Sequence, residues 1–519
     1  MLRTELIRPV AELLDAHAQW RGGKVAFDDA ARSVTYAELA ERTARLGAHL
    51  EGLGLQPGQR GLIFMDNSVE TAESYLALPR AGAVAVCVNP LSPPAEVGYV
   101  LDDSDAKVVL TDPAHLDAAR ELVAGRTGVS IAVTGEHADP LPPGVVSYEE
   151  MATTDQATGP RDSLTLDDVA WMLYTSGTTG RPKGVLLTQR SCLWVVAACW
   201  APIAGFSDTD VLLCPLPLFH SYALDLCVLG GVAVGATVRI MRRFSTGEVL
   251  DLLRTEPITF FAGVPTMFSY LLEGAGADGL DGNRLRLCVS AGAIMPASLN
   301  RAFENTFEVT LLDGYGITET STMVVMNWPT GHRIMGSCGL PVPGLTVRLV
   351  DPATGRDVGT GQDGELWVSG PGVMVGYHNL PDATADALTD GWYRTGDLAH
   401  RDENGFLTIS GRIKEMIIRG GENIYPAEVE DVLLGLDGVR DAAVASRPHD
   451  SLGEVPVAFL VPGDSGLDTA RLLAGCRERL SSFKVPAEFY AVEQIPRTGS
   501  GKIMRYKLQQ QLGELSRLP

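Results

Sequence analysis

The sequence predicts an α/β protein with a large N-terminal part and a smaller C-terminal one, and three observations carry that reading. At 519 residues the chain is too long for one compact core, so two or more domains are expected. Over the first 150 residues, and again from Val169 to about Leu312, apolar strand-like runs alternate with helical patterns, which argues for a mostly parallel sheet. Residues 332–410 then become rich in Gly and Pro, and a mixed texture returns from Gly411.

The elements follow in chain order. Thr35–Leu53 reads as a helix: Leu39, Leu46, Leu50 and Leu53 share one face, and Gly54 can end it. Ala81–Val88 and Ala106–Leu110 read as buried strands, as do the apolar runs Val169–Leu173 and Val185–Leu187. Ser191–Phe206 is apolar for about 16 residues but contains Pro202, so it reads as a buried helix rather than a membrane span. Short strands at Thr346–Val350, Glu365–Val368 and Phe406–Ile409 suggest a small β subdomain over 332–410. Helices are expected near Ala427–Leu434 and Thr469–Leu480, with a domain boundary at Gly411–Lys414.

Composition narrows the function. Hydrophobic residues at 45% and charged residues at 20% are ordinary for a soluble globular protein. A net charge of −22 argues against a nucleic-acid partner and against an anionic membrane surface. From Gly411 onward 14 basic residues meet 15 acidic ones, so nearly all of that charge lies upstream. The N-terminus, M-L-R-T-E-L-I-R-P-V, has no apolar core and does not read as a signal peptide, so a cytoplasmic location is expected. Eight cysteines without a C-x-x-C pair read as free buried thiols, with no zinc site. Lysine is scarce, and Lys183, Lys414 and Lys502 all fall within the motifs below.

The strongest local signal is Y-T-S-G-T-T-G-R-P-K-G, residues 174–184. Its glycines let backbone N–H groups approach an oxyanion, its hydroxyls add donors, and Lys183 adds a cation. This composition suits a polyphosphate. It is not a Walker A loop, because the spacing is G-x-x-G-x-x-K and a strand follows instead of a helix. G-S-G-K at 499–502 also fails, with Pro496 in place of the first glycine.

Five further segments occur in order: P-L-F-H-S-Y (217–222), D-G-Y-G-I-T-E (313–319), Y-R-T-G-D-L (393–398), G-R-I-K-E running into G-G-E-N-I-Y-P (411–426), and P-R-T-G-S-G-K (496–502). Together with the hydroxyl-rich loop they resemble the adenylate-forming superfamily of acyl- and aryl-CoA synthetases, firefly luciferase and peptide-synthetase adenylation domains. The likeness is greatest to the acyl- and aryl-CoA ligases. The resemblance implies a large domain over 1–411, of two α/β layers plus a distorted β-barrel. It also implies a small mobile α+β domain over 412–519, with the hinge at Lys414. It implies ATP, Mg2+ and coenzyme A, and a reaction in which a carboxylic acid is adenylated and then passed to the CoA thiol.

The same resemblance implies residue roles. Thr175, Ser176, Gly177, Thr178, Thr179, Gly180 and Lys183 would hold phosphates. Asp313, Gly314, Tyr315 and Gly316 would form the adenine segment, with Tyr315 against the ring. Thr318 would touch the α-phosphate and Glu319 would hold Mg2+, two hard oxygen donors that suit that ion. Asp397 would accept the ribose hydroxyls, Ile409 would lie beside the nucleotide, and Arg412 would reach ribose or phosphate. Lys502 would bridge the carboxylate and the α-phosphate, where like charges must meet. Gly420, Gly421 and Glu422 would come up for thiol transfer.

His220 would gate an acyl pocket formed with Ser221, Tyr222, Ala291, Gly292, Ala293, Gly316 and Met323. Adenylation domains for amino acids carry an aspartate after the Phe of this segment. Here His220 follows Phe219, and Met323–Val325 is apolar, so an apolar or aromatic acid is expected. Ala291 and Ile294 depart from the Ser-Gly-Gly/Ala-Ala-Pro wall of the relatives. Gln189 stands where many of them have histidine, and the sequence offers no physical account of it. A carrier-protein acceptor, a chain that performs only the thioester step on adenylate from a partner ligase, and a homodimer are left open.

Overall fold

A computed structural model describes the whole chain except residues 1, 137–139, 176–180, 277–282, 464, 499–500 and 519. Two large sheets dominate the N-terminal part. The nine-stranded one has a parallel centre made by Thr237–Ile240, Val211–Cys214, Phe260–Gly263, Leu287–Ser290 and Thr310–Tyr315. The eight-stranded one is parallel from Val145–Ser147 through to Val169–Thr175, and then turns antiparallel at Lys183–Thr188 and Gly376–Tyr377. One apolar cluster, including Phe27, Tyr75, Trp171, Trp200 and Phe260, packs residues of both sheets together. Central parallel strands are buried on both faces, which is why they read as continuous apolar runs.

A third, antiparallel sheet of five strands follows: Thr346–Val350, Gly364–Ser369, Trp392–Arg401, Leu388–Thr389 and Leu407–Arg412. It occupies the Gly/Pro-rich stretch. The C-terminal part has its own five-stranded sheet, flanked by helices Pro426–Leu434, Thr469–Arg479 and Arg505–Gln511. Separate apolar clusters, one around Ile417, Val429 and Leu460 and one around Phe459 and Leu508, give it its own core.

The predicted elements recur with shifted ends. The helix expected at 35–53 is Tyr36–Gly52, opened by a capping box in which the Thr35 hydroxyl accepts from the Glu38 N–H. Leu39, Leu46 and Leu50 are buried, but Leu53 sits at the C-cap and is 37% exposed, so it leaves the apolar face. The strands expected at 81–88 and 106–110 are Val84–Cys87 and Val108–Thr111. The residues just before Val84 are a buried turn with Gly82 at φ +75°, because apolarity reports burial and not extension.

Within Ser191–Phe206, a helix over Gln189–Val195 runs into a wider turn at Val196–Trp200, and the whole run is buried apart from half-buried Trp194 and Pro202 and exposed Gly205. Among the described residues no helix is long and apolar enough to cross a membrane. All eight cysteines are free and buried.

Candidate active site

Strands Val169–Thr175 and Lys183–Thr188 form an antiparallel hairpin in which Thr175 pairs with Lys183. The two ends of the predicted phosphate loop are therefore held opposite each other at its mouth. Ser176, Gly177, Thr178, Thr179 and Gly180 lie outside the described residues. The Lys183 ammonium sits 4.8 Å from the centroid of the Tyr377 ring.

Strand Thr310–Tyr315 delivers the second segment, and the chain then folds back through Thr318–Thr320. The fold-back explains both glycines. A Cβ on Gly316 would lie 1.2 Å from the Thr322 carbonyl oxygen, and one on Gly314 would lie 2.1 Å from Met323 Cε. Thr322 itself has φ +108°, which is costly for a β-branched residue. Its hydroxyl donates to the Ser221 carbonyl at 3.0 Å, and the Ser221 and Thr318 hydroxyls lie 3.2 Å apart. The 217–222 and 313–319 segments are thus fastened to each other. The Glu319 carboxylate accepts from the Tyr377 hydroxyl at 3.1 Å.

Asp397 and Arg412 face each other across neighbouring strands, with the guanidinium 2.9 Å from Asp397 Oδ1. The Tyr315 hydroxyl donates to Oδ2. Asp397 is only 3% exposed, so these partners are what make a buried carboxylate tolerable. Asp313 is also buried, but its Oδ1 has no partner among the described residues, and burial pushes its carboxyl well above the usual range.

A cavity of about 800 Å³ adjoins the Asp397–Arg412 pair and the Asp313–Gly316 segment, whereas Thr175, Lys183, Thr318, Glu319 and Tyr377 do not line it. Asp313, Gly314, Tyr315, Gly316, Asp397, Ile409, Arg412, Gly292 and Ala293 line one side, and Gly501, Lys502 and Arg505 of the C-terminal part line the other. Burial lowers the Lys502 ammonium pKa and Arg412 lowers it further, while Asp397, Glu319 and Glu415 pull it back up. His220 is pushed down to about 3, first by burial and then by Lys502. The lysine near the C-terminus therefore lies within electrostatic reach of His220, Asp397 and Glu319 together.

Other predicted residues stand apart from that wall. His220, Ser221, Tyr222, Ala291 and Met323 do not line the cavity, and Met323 is fully buried. Gly420, Gly421 and Glu422 form an exposed turn at the start of strand Glu422–Ile424, with the Gly420 N–H donating to the Leu452 carbonyl at 2.7 Å. Lys414 is exposed, in the turn Ile413–Glu415 directly after strand Leu407–Arg412.

Sequence reasoning missed Tyr377. Its link to Lys183 spans 194 positions, and the only local signal is a Gly-Tyr pair closing a short strand. The structure also accounts for Gln189, whose side chain accepts from the Val10 N–H at 2.8 Å and donates to the Leu164 and Thr165 carbonyls at 3.3 Å.

Comparison with known proteins gives the same arrangement a family. The model described as AMP-binding enzyme matches residues 14–378, and that of the AMP-binding enzyme C-terminal domain matches residues 428–502. The chain belongs to the AMP-binding enzyme family. Among its relatives, a feruloyl-CoA synthase of an Amycolatopsis species is 37% identical over 483 residues, covering 93% of this chain and 94% of that protein. A naringenin synthase of Pestalotiopsis fici is 39% identical over 512 residues, and there the chain spans only 18% of the relative's length. Among solved structures, a benzoate CoA ligase from Burkholderia xenovorans LB400 matches with a TM-score of 0.87 at 30% identity, covering 96% of this chain and 99% of that one. The large N-terminal and smaller C-terminal parts described above are thus those of this family's fold.

Proposed function

We propose that the chain is an ATP-dependent carboxylic acid–CoA ligase acting on an apolar or aromatic acid. In the first step a carboxylate oxygen attacks the α-phosphorus of ATP and the bond to the leaving pyrophosphate breaks. In the second the CoA sulfur attacks the acyl carbon, the thiol proton is lost, and AMP leaves. The observation that carries this reading is Lys502, brought from the C-terminal part into the wall that also holds Tyr315, Asp397 and Arg412. A cation placed there offsets the meeting of carboxylate and phosphate and the charge that builds in the transition state.

The remaining roles follow from donor chemistry. Thr175 and Lys183, with the loop between them, would bind the polyphosphate. Asp397 accepts one hydrogen bond from Tyr315 and pairs with the Arg412 guanidinium, and a carboxylate has about four acceptor positions, so ribose hydroxyls can still be taken. Tyr315 and Ile409 offer flat and apolar surface to the base. Glu319 and Thr318 supply hard oxygens, and among the described residues no larger cluster of metal-ligating side chains exists. That set fits Mg2+, which is usually held by one or two carboxylates plus phosphate oxygens and water. Bound there, the ion would neutralise phosphate charge. His220, Ser221, Tyr222, Ala291, Gly292, Ala293 and Met323 would bound the acyl pocket.

In this reading the domains meet at 411/412 and the smaller one turns about Lys414. The turn would withdraw Lys502 and bring Gly420, Gly421 and Glu422 to the site for the thiol. The aromatic acids named for the feruloyl and benzoate relatives support the substrate class. The test is ATP–pyrophosphate exchange and CoA-thioester formation with purified protein and a panel of cinnamic, benzoic, fatty and amino acids. Exchange with aromatic or fatty acids, followed by the CoA thioester, is expected. A clear preference for amino acids, or exchange with none of the panel, would sink the reading.

A further inference from the structure

The Lys183 ammonium and the Glu319 carboxylate carry opposite charges and both flank Tyr377. In a direct ion pair each of these groups would be engaged by the other and lost to its ligand. Among the described residues Lys183 makes no salt bridge. It rests instead on the face of the Tyr377 ring, at 4.8 Å from the centroid. Glu319 takes the hydroxyl at the other end of the same ring, at 3.1 Å.

The backbone makes that placement rigid. Tyr377 pairs with Val185 on the neighbouring antiparallel strand, so Lys183, two residues away, projects from the same face as a diagonal neighbour. The Tyr377 N–H donates to the Thr384 hydroxyl at 2.9 Å, and the His378 N–H to the Gly184 carbonyl at 2.7 Å. Just upstream, the Met374 N–H donates to the Glu319 carbonyl at 2.9 Å. The segment 374–378 is therefore bonded both to the strand that starts at Lys183 and to the turn that carries Glu319. The Tyr393 hydroxyl lies 3.4 Å from that of Tyr377. Since Tyr377 has one proton and gives it to a carboxylate, Tyr393 donates to Tyr377 in turn.

We propose that Tyr377 is a positioning residue of the ATP site, its ring carrying the lysine of the phosphate loop and its hydroxyl holding the carboxylate that would face magnesium. The inference rests on the ligase reading above, and it assigns the two ends of one side chain to two different ligands. It is tested by calorimetric titration of ATP into the purified full chain, without Mg2+ and over a range of Mg2+ concentrations. The variants are Tyr377→Phe, Tyr377→Leu, Glu319→Gln and the Tyr377→Phe/Glu319→Gln double.

Tyr377→Phe keeps the ring and should leave Mg2+-free ATP affinity within about twofold, while raising the Mg2+ needed for half-maximal tightening about tenfold. Tyr377→Leu should show that shift and also weaken Mg2+-free ATP binding about threefold. In the Glu319→Gln background, adding Tyr377→Phe should change nothing further. A Mg2+ dependence of Tyr377→Phe equal to that of the unsubstituted protein overturns the inference, as does a loss that persists undiminished in the Glu319→Gln background. If Tyr377→Leu does not fold, the Phe and Gln comparison decides alone. Failure of the unsubstituted protein to bind ATP at any Mg2+ concentration overturns both this inference and the ligase reading; normal binding with an indifferent Tyr377→Phe overturns this inference only.

Discussion

His220 is half-buried, and desolvation together with the nearby Lys502 charge pushes its imidazole pKa down to about 3. In the unfolded chain a histidine titrates near about 6.5. Between those two values the unfolded state binds a proton that the folded state refuses. The group's contribution to stability is therefore complete above pH about 6.5 and is lost progressively as pH falls toward about 3. His17, also lowered by burial, adds to the same trend. Thermal midpoints of the unsubstituted protein should fall more steeply between pH 6.5 and 4 than those of His220→Phe, so the two curves converge on acidification. Parallel curves would contradict a neutral, desolvated His220. At this scale the sequence identified residue types well and their reasons poorly. Gly314 and Gly316 were legible as part of D-G-Y-G-I-T-E, but the reason only glycine fits is the Thr322–Met323 backbone folding back onto them.

Gln189 belongs to the scale of elements. Thr188 caps the helix Gln189–Val195, and the Gln189 side chain then reaches back to the first turn of helix Val10–Arg21 and to the strap at Leu164–Thr165. Its partners are backbone groups in a buried setting, so their loss costs the desolvation of what remains. Gln189→Ala should destabilise the protein by about 1–3 kcal/mol while pyrophosphate exchange is retained. Thermal unfolding and the exchange assay check this, and normal stability with abolished exchange would overturn the structural role. Helices and strands were legible wherever apolar periodicity was strong, as in Tyr36–Gly52 and Val169–Thr175. Their ends were not, since buried turns such as Ala81–Ala83 are as apolar as the strands they precede.

The whole molecule carries the largest prediction, because two predicted functional groups of the C-terminal part occupy different places. Lys502 is in the cavity wall, and Gly420–Glu422 is in an exposed turn outside it. Arg505, three residues after Lys502, pairs with Glu430 at 2.7 Å and Glu415 at 3.3 Å, tying the lysine's loop to the body of its own domain and to the turn containing Lys414. A rigid-body turn about Lys414 would then exchange the two groups at the site. Lys502→Ala should lose about a hundred- to a thousandfold in pyrophosphate exchange and keep thioester formation from supplied acyl-AMP. Lys414→Pro should do the reverse, measured in the same pair of assays. Equal loss of both steps in Lys502→Ala would end the division of labour.

What the sequence determined by itself was the α/β class, the two-part organisation and the segments proposed to face the nucleotide, because these are written in local periodicity and in contiguous stretches of special composition. Tertiary structure alone decided which distant residues share a space. The Tyr377 ring under Lys183, the Gln189 tether to Val10 and the approach of Lys502 to Asp397 and His220 each join parts of the chain separated by more than a hundred residues. Such contacts are selected by how whole sheets and domains pack, and no short stretch of sequence encodes them.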